Sequence, residues 1–199
     1  MKNVFYTLLG LLLFLTAACG SKKAAQEIEE EDSFVSDTTY VKVKSKTLAD
    51  DSLAQIYRPI IDKYMELSDA LIQAQPADAS NAAVQMTVLI KKANLKLLDS
   101  AQLNIWDEQM DAIVLFLDKI AKSKDLKIQR NEFYPLSEDL YDLIVQIGLK
   151  DYTFYKQYCP MAFRDKGAFW LSNSEEILNP YFGSEMLHCG EIKEKIINP

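Results

Sequence analysis

Four stretches of this chain repeat apolar residues at alternating spacings of four and three, which only a helix gathers onto one face. Ile56, Ile60, Tyr64, Leu67 and Leu71 form the first stripe, in a segment running from about Leu48 to Ile72. Pro59 lies inside it, so a kink or a delayed start is expected. The second stripe is Met86, Leu89, Ala93 and Leu97, after Pro76, with Asp78 or Ser80 as N-cap. Trp106, Met110, Ile113, Leu117 and Ile120 form the third. Phe133, Leu136, Leu140, Leu143 and Ile147 form the fourth, stopped by Gly148. Short connections favour antiparallel neighbours. The expected architecture is mainly α: an up-down four-helix bundle over residues 47–149 with a small C-terminal mixed α/β cap over residues 150–199, in the same domain.

The cap is aromatic where the bundle is aliphatic. Tyr152, Phe154, Tyr155 and Tyr158 favour a strand, and Gly167 to Leu171 a second. Ser172-Asn173-Ser174-Glu175 has the pattern of a capping box opening a short helix, ended by Asn179-Pro180. Gly183 and Gly190 bracket a last segment.

The other end of the chain bears on location. Lys2 precedes an uncharged run from Val4 to Ala18, and Thr16-Ala17-Ala18 leads directly to Cys19. These are the parts of an export signal, and a cysteine after the small residues resembles the lipobox of bacterial lipoproteins. The pattern departs at Thr16, where leucine is usual; Leu15 stands one place early. Residues 1–18 are therefore expected to be a lipoprotein signal peptide, with Cys19 acylated. A plain secretory signal leaving Cys19 free ranks second. A retained anchor ranks third, because 15 apolar residues fall short of the roughly 20 that span a bilayer. Residues 19–46 read as a flexible acidic tether, with Glu27 and Glu29 to Asp32. Within it, Tyr40-Val41-Lys42-Val43-Lys44 alternates and suggests a short strand.

Lys2 is the only charge before Cys19, so removing the signal takes the formal charge from −7 to −8. An acidic chain of this kind is no nucleic-acid binder, and its attachment to a membrane falls to the acyl chains. Gly-x-Ser-x-Gly, His-Glu-x-x-His and glycine-rich phosphate loops are absent from the sequence. A non-enzymatic role is expected.

Distinctive chemistry is confined to the tail. Cys159-Pro160-Met161 puts a thiol and a thioether two residues apart, a donor pair suited to a soft ion, above all Cu(I). Met186-Leu187-His188-Cys189 adds a second thioether, the single histidine and a second thiol. One expectation is a metal site drawn from Cys159, Met161, Met186, His188 and Cys189; zinc is less suited because Cys159, His188 and Cys189 leave a position open. The competing expectation is a Cys159–Cys189 disulfide with no metal, which would close a loop of about 30 residues and stabilise by roughly 3–4 kcal/mol. Composition alone puts the disulfide ahead.

The tail is also the most specific part of a family resemblance. Tyr158-Cys159-Pro160-Met161-Ala162-Phe163, Gly167-Ala168-Phe169-Trp170-Leu171-Ser172, Asn179-Pro180-Tyr181-Phe182-Gly183 and Met186-Leu187-His188-Cys189-Gly190-Glu191 follow in order, behind Gln129-Arg130-Asn131-Glu132-Phe133 and Leu136-Ser137. Over roughly residues 50–195 the chain resembles the domain-of-unknown-function family three-three-four-seven. That family is typical of Bacteroidetes envelope lipoproteins, and related domains are fused to membrane-fusion proteins of copper and other heavy-metal efflux pumps. The resemblance implies a helical bundle and a place in the cell envelope, lipid-anchored at the outer membrane and facing the periplasm. It also implies copper handling with a metal-efflux membrane-fusion protein as partner. Cys159, Met161, Met186 and Cys189 carry over by motif; His188 does not. With the resemblance, the expectation moves from the disulfide to the metal.

Overall fold

The stripes become four helices in the computed structural model, which describes residues 40–44 and 51–197, less the side chains of residues 51 and 52. They are α1 (Asp51–Ile72), α2 (Pro76–Lys91), α3 (Ser100–Lys122) and α4 (Leu126–Ile147). Each packs chiefly on the next, as short connections require. Every residue of the first, third and fourth stripes is buried. Each such side chain contributes about 1.5–3 kcal/mol relative to an exposed one, so the stripes are core.

Of the two alternatives at Pro59, the delayed start is not taken: α1 begins at Asp51 and runs through the proline. In α2 the N-cap is Gln75, with Pro76 in the first turn, because Ala74 takes a left-handed φ of 55° that turns the chain just before it. Neither Asp78 nor Ser80 caps the helix; the Ser80 hydroxyl donates instead to the Ser123 carbonyl. The buried face of α2 is Ala79, Ala82, Ala83, Met86 and Ile90, and of the expected stripe only Met86 belongs to it. Small alanines let α2 approach its neighbours closely, and the helix ends before Ala93 and Leu97.

Helix ends are tied by side chains from the start of α4. The buried Gln129 amide donates to the carbonyls of Pro76 and Ser123, each at 2.9 Å. Arg130 Nη2 donates to the Leu71 carbonyl at 3.0 Å. The Leu71 and Ser123 carbonyls stand at the C-terminal ends of α1 and α3, where a helix leaves carbonyls open.

The cap is a four-stranded mixed sheet in the order β1-β4-β2-β3, formed by β1 (Val41–Lys44), β2 (Thr153–Cys159), β3 (Ala168–Ser172) and β4 (Glu191–Ile197). β2 runs antiparallel to both β3 and β4, while β1 adds parallel to β4. The strand suggested at Tyr40–Lys44 is thus present as β1; the rest of the tether, the signal segment and Cys19 lie outside the described residues. No helix expected after Ser172 forms. Ser172 and Ser174 instead make local turns. Gln157 of β2, buried, takes the carbonyls of Ser174 and Glu176, and the Glu175 carboxylate is held by Tyr155 and Lys195. β3 packs on α4, and one core joins bundle to cap. Tyr64 stacks on Phe133 with centroids 5.0 Å apart, and Tyr181 stands edge-on to Trp170. The Tyr64 hydroxyl bonds Ser137 and accepts from the Leu171 backbone N–H. No helix among the described residues is long and apolar enough to cross a membrane.

Candidate functional site: a buried thiol pair

Cys159 closes β2, in register with Ala168 of β3, and is fully buried. Cys189 lies 30 residues on, in the turn before β4, and is half-buried. Both are free thiols, and their Sγ atoms are 2.8 Å apart. The structure therefore joins the two residues that either tail hypothesis needs.

Asn179 sets the position of Cys189. Its side chain is fully buried. Nδ2 donates to the Cys189 carbonyl at 2.7 Å, and Oδ1 accepts from the backbone N–H groups of Tyr181 and Phe182. Its own N–H donates to the Leu187 carbonyl. The Cys189 N–H donates to Met186, closing the turn. Gly190 follows with φ of +155°; a Cβ there would stand 3.0 Å from the Trp170 ring and 3.1 Å from the Tyr158 carbonyl. Glycine is thus required for the chain to pass between Trp170 and β2.

The remaining expected ligands are placed differently. His188 is exposed, and its Nδ1 lies 2.9 Å from the Ile177 carbonyl, a contact that needs the proton on Nδ1. It does not join the thiols: among the described residues no group of three His, Cys, Asp or Glu is placed to hold a metal ion. Met161 is exposed at the start of the β2–β3 connection, and Met186 is half-buried. Met186 to Cys189 is a turn: it follows the single 3-10 turn Gly183–Glu185, and the Cys189 N–H donates back to the Met186 carbonyl.

The hydrogen bond with Cys159, then burial, then the electrostatic influence of the neighbouring Cys159 sulfur push the Cys189 thiol up to about 11. Catalytic thiols are tuned the opposite way. At neutral pH Cys189 holds its proton, and a ligand or an oxidant must displace it. Two sulfurs on one zinc, with bonds of about 2.3 Å and tetrahedral angles, stand roughly 3.8 Å apart. A disulfide needs about 2.05 Å. The pair stands between the two, and movement of Cys189 in its turn by about 1 Å reaches either. Among the described residues no third and fourth His or Cys joins the pair to close a zinc site.

A family model described as "Protein of unknown function (DUF3347)" matches residues 60–152, the bundle from within α1 to the approach to β2. No curated protein and no solved structure matches the chain. The thiol pair lies beyond the matched residues.

Proposed function

With residues 60–152 belonging to the DUF3347 family, we propose that this chain is a lipid-anchored envelope protein that captures a soft metal ion, Cu(I), at Cys159 and Cys189. It then passes the ion to an efflux partner. One observation carries the reading: two thiols 30 residues apart in sequence meet at 2.8 Å. Met161 follows one by two residues and Met186 precedes the other by three. Thiolate and thioether are the donors that select Cu(I). The half-buried Cys189 gives the ion a way in, and the buried Cys159 holds it away from water. Cys19 supplies the anchor.

The short sulfur separation favours a second state of the same pair, a disulfide. Its formation transfers two electrons to an oxidant that is itself a disulfide. Cys189 first loses its proton, and its thiolate attacks one oxidant sulfur, expelling the other as a thiolate that takes up a proton. The Cys159 thiolate then displaces the first, and the oxidant leaves as a dithiol. Both states use the same two sulfur atoms, so each excludes the other.

The test is Cu(I) competition against a chelator with the reduced chain. Cys189→Ser is expected to weaken binding by more than about 100-fold, beyond the usual effect of a supporting-residue change. Met161→Leu or Met186→Leu weakens it less, and His188→Ala leaves it unchanged. Retained affinity in Cys189→Ser would end the proposal.

A further inference from the structure

A second site lies where the first turns of α4 meet the β2–β3 connection and residues 179–182. A cleft of about 430 Å³ there is walled by Phe163, Tyr181 and Phe182 and edged by Lys127 and Arg130. Across Phe163 is a second hollow of about 400 Å³ that shares Asn131 and adds Tyr134 and Lys166. Phe163 therefore stands as a partition between two open hollows. It is half-buried and held in a left-handed turn, with φ of 53°, 60° and 63° at Phe163, Arg164 and Asp165. The Gly167 N–H donates to the Ala162 carbonyl and closes that turn. Gly167 is required there, since a Cβ would collide with the Tyr158 ring.

The charge at this cleft runs against that of the chain. The protein is at −7, yet the two hollows are lined by Lys127, Arg130 and Lys166 against one acid, Asp125. Asp125 is engaged, accepting from the Lys127 backbone N–H at 2.8 Å. None of the three cations forms an ion pair among the described residues. Arg130 spends Nη2 on the Leu71 carbonyl, and Glu185 acts on it electrostatically without pairing. An aromatic wall beside unpaired cations is the surface expected of a pocket with a few polar groups that fix orientation.

We propose that this cleft binds a ligand joining an aromatic ring to a carboxylate. The ring lies against Phe163 and Phe182, and the carboxylate meets Lys127 and Arg130, where a charged donor and a charged acceptor make the stronger kind of hydrogen bond. The chemistry is shared by a free aryl carboxylate and by a peptide ending in an aromatic residue. The cleft shares no lining residue with the thiol pair, and Asn179 braces both, through the Cys189 carbonyl and the Tyr181 and Phe182 N–H groups.

Aromatic proton NMR of the full chain, titrated with N-acetylphenylalanine, its neutral amide and benzoate, decides the matter. The acid is expected to bind saturably near 1 mM and the amide about tenfold more weakly. Lys127→Gln weakens the acid, and Glu185→Gln tightens it by removing the competing charge. Benzoate matching the acid points to a small free carboxylate; binding by N-acetylphenylalanine alone points to a peptide terminus. The proposal is overturned if acid and amide bind equally. It is also overturned if none of the three saturates in a chain with an unchanged spectrum.

Discussion

At the scale of single residues, protonation controls what the thiol pair can do. Cys189 keeps its proton up to about 11, and a soft ion binds the thiolate. Capture therefore releases at least the Cys189 proton, so the apparent Cu(I) affinity must rise with pH. The slope is about tenfold per pH unit for each thiol proton lost. Chelator competition at pH 6, 7 and 8 measures it, and an affinity independent of pH would mean that Cys189 is not a ligand. Cysteine, methionine and histidine types were legible in the sequence as a candidate site, and the meeting of Cys159 with Cys189 was foreseen as one alternative. That His188 stands apart is not legible from spacing, because the turn that closes at Cys189 decides where it lies. Asn179 was visible only as a residue before proline. Its work as the support of Cys189 depends on a carbonyl ten residues away, and no local pattern signals that.

Among the elements, the turn from Asn179 to Gly190 is the one that carries the site. Asn179→Ala removes three side-chain hydrogen bonds and leaves buried backbone groups unpaired. A loss of about 2–3 kcal/mol is expected, measured by urea unfolding, with slower Cys159–Cys189 closure in the folded chain. A loss below about 0.5 kcal/mol would show that the turn holds itself. The helices were legible because their stripes are uninterrupted and their cores aliphatic. α2 was misread because its buried face is built from alanines, which a search for large apolar residues passes over. β4 was missed for a different reason. Ile192, Glu194 and Ile196 occupy alternate positions, but the middle one is an acid. Lys156 of β2 pairs with it at 3.1 Å, and Tyr141 of α4 donates to it. A charge neutralised by a distant lysine breaks the apolar alternation that marks a strand.

Taken as a whole molecule, the chain places a single reactive feature at the end farthest in sequence from its proposed anchor. The bundle supplies a rigid base: α4 packs on β3, β3 pairs with β2, and β2 ends at Cys159. The proposed exchange between ion and disulfide follows from that arrangement, since the two states compete for one pair of sulfurs. Cu(I) bound per chain, measured before and after mapped closure of the Cys159–Cys189 disulfide, puts this competition to the test. The reduced chain is predicted to bind about one equivalent, the oxidised chain none, and re-reduction to restore binding. An oxidised chain that still binds an equivalent, or a reduced chain that binds none, would contradict it.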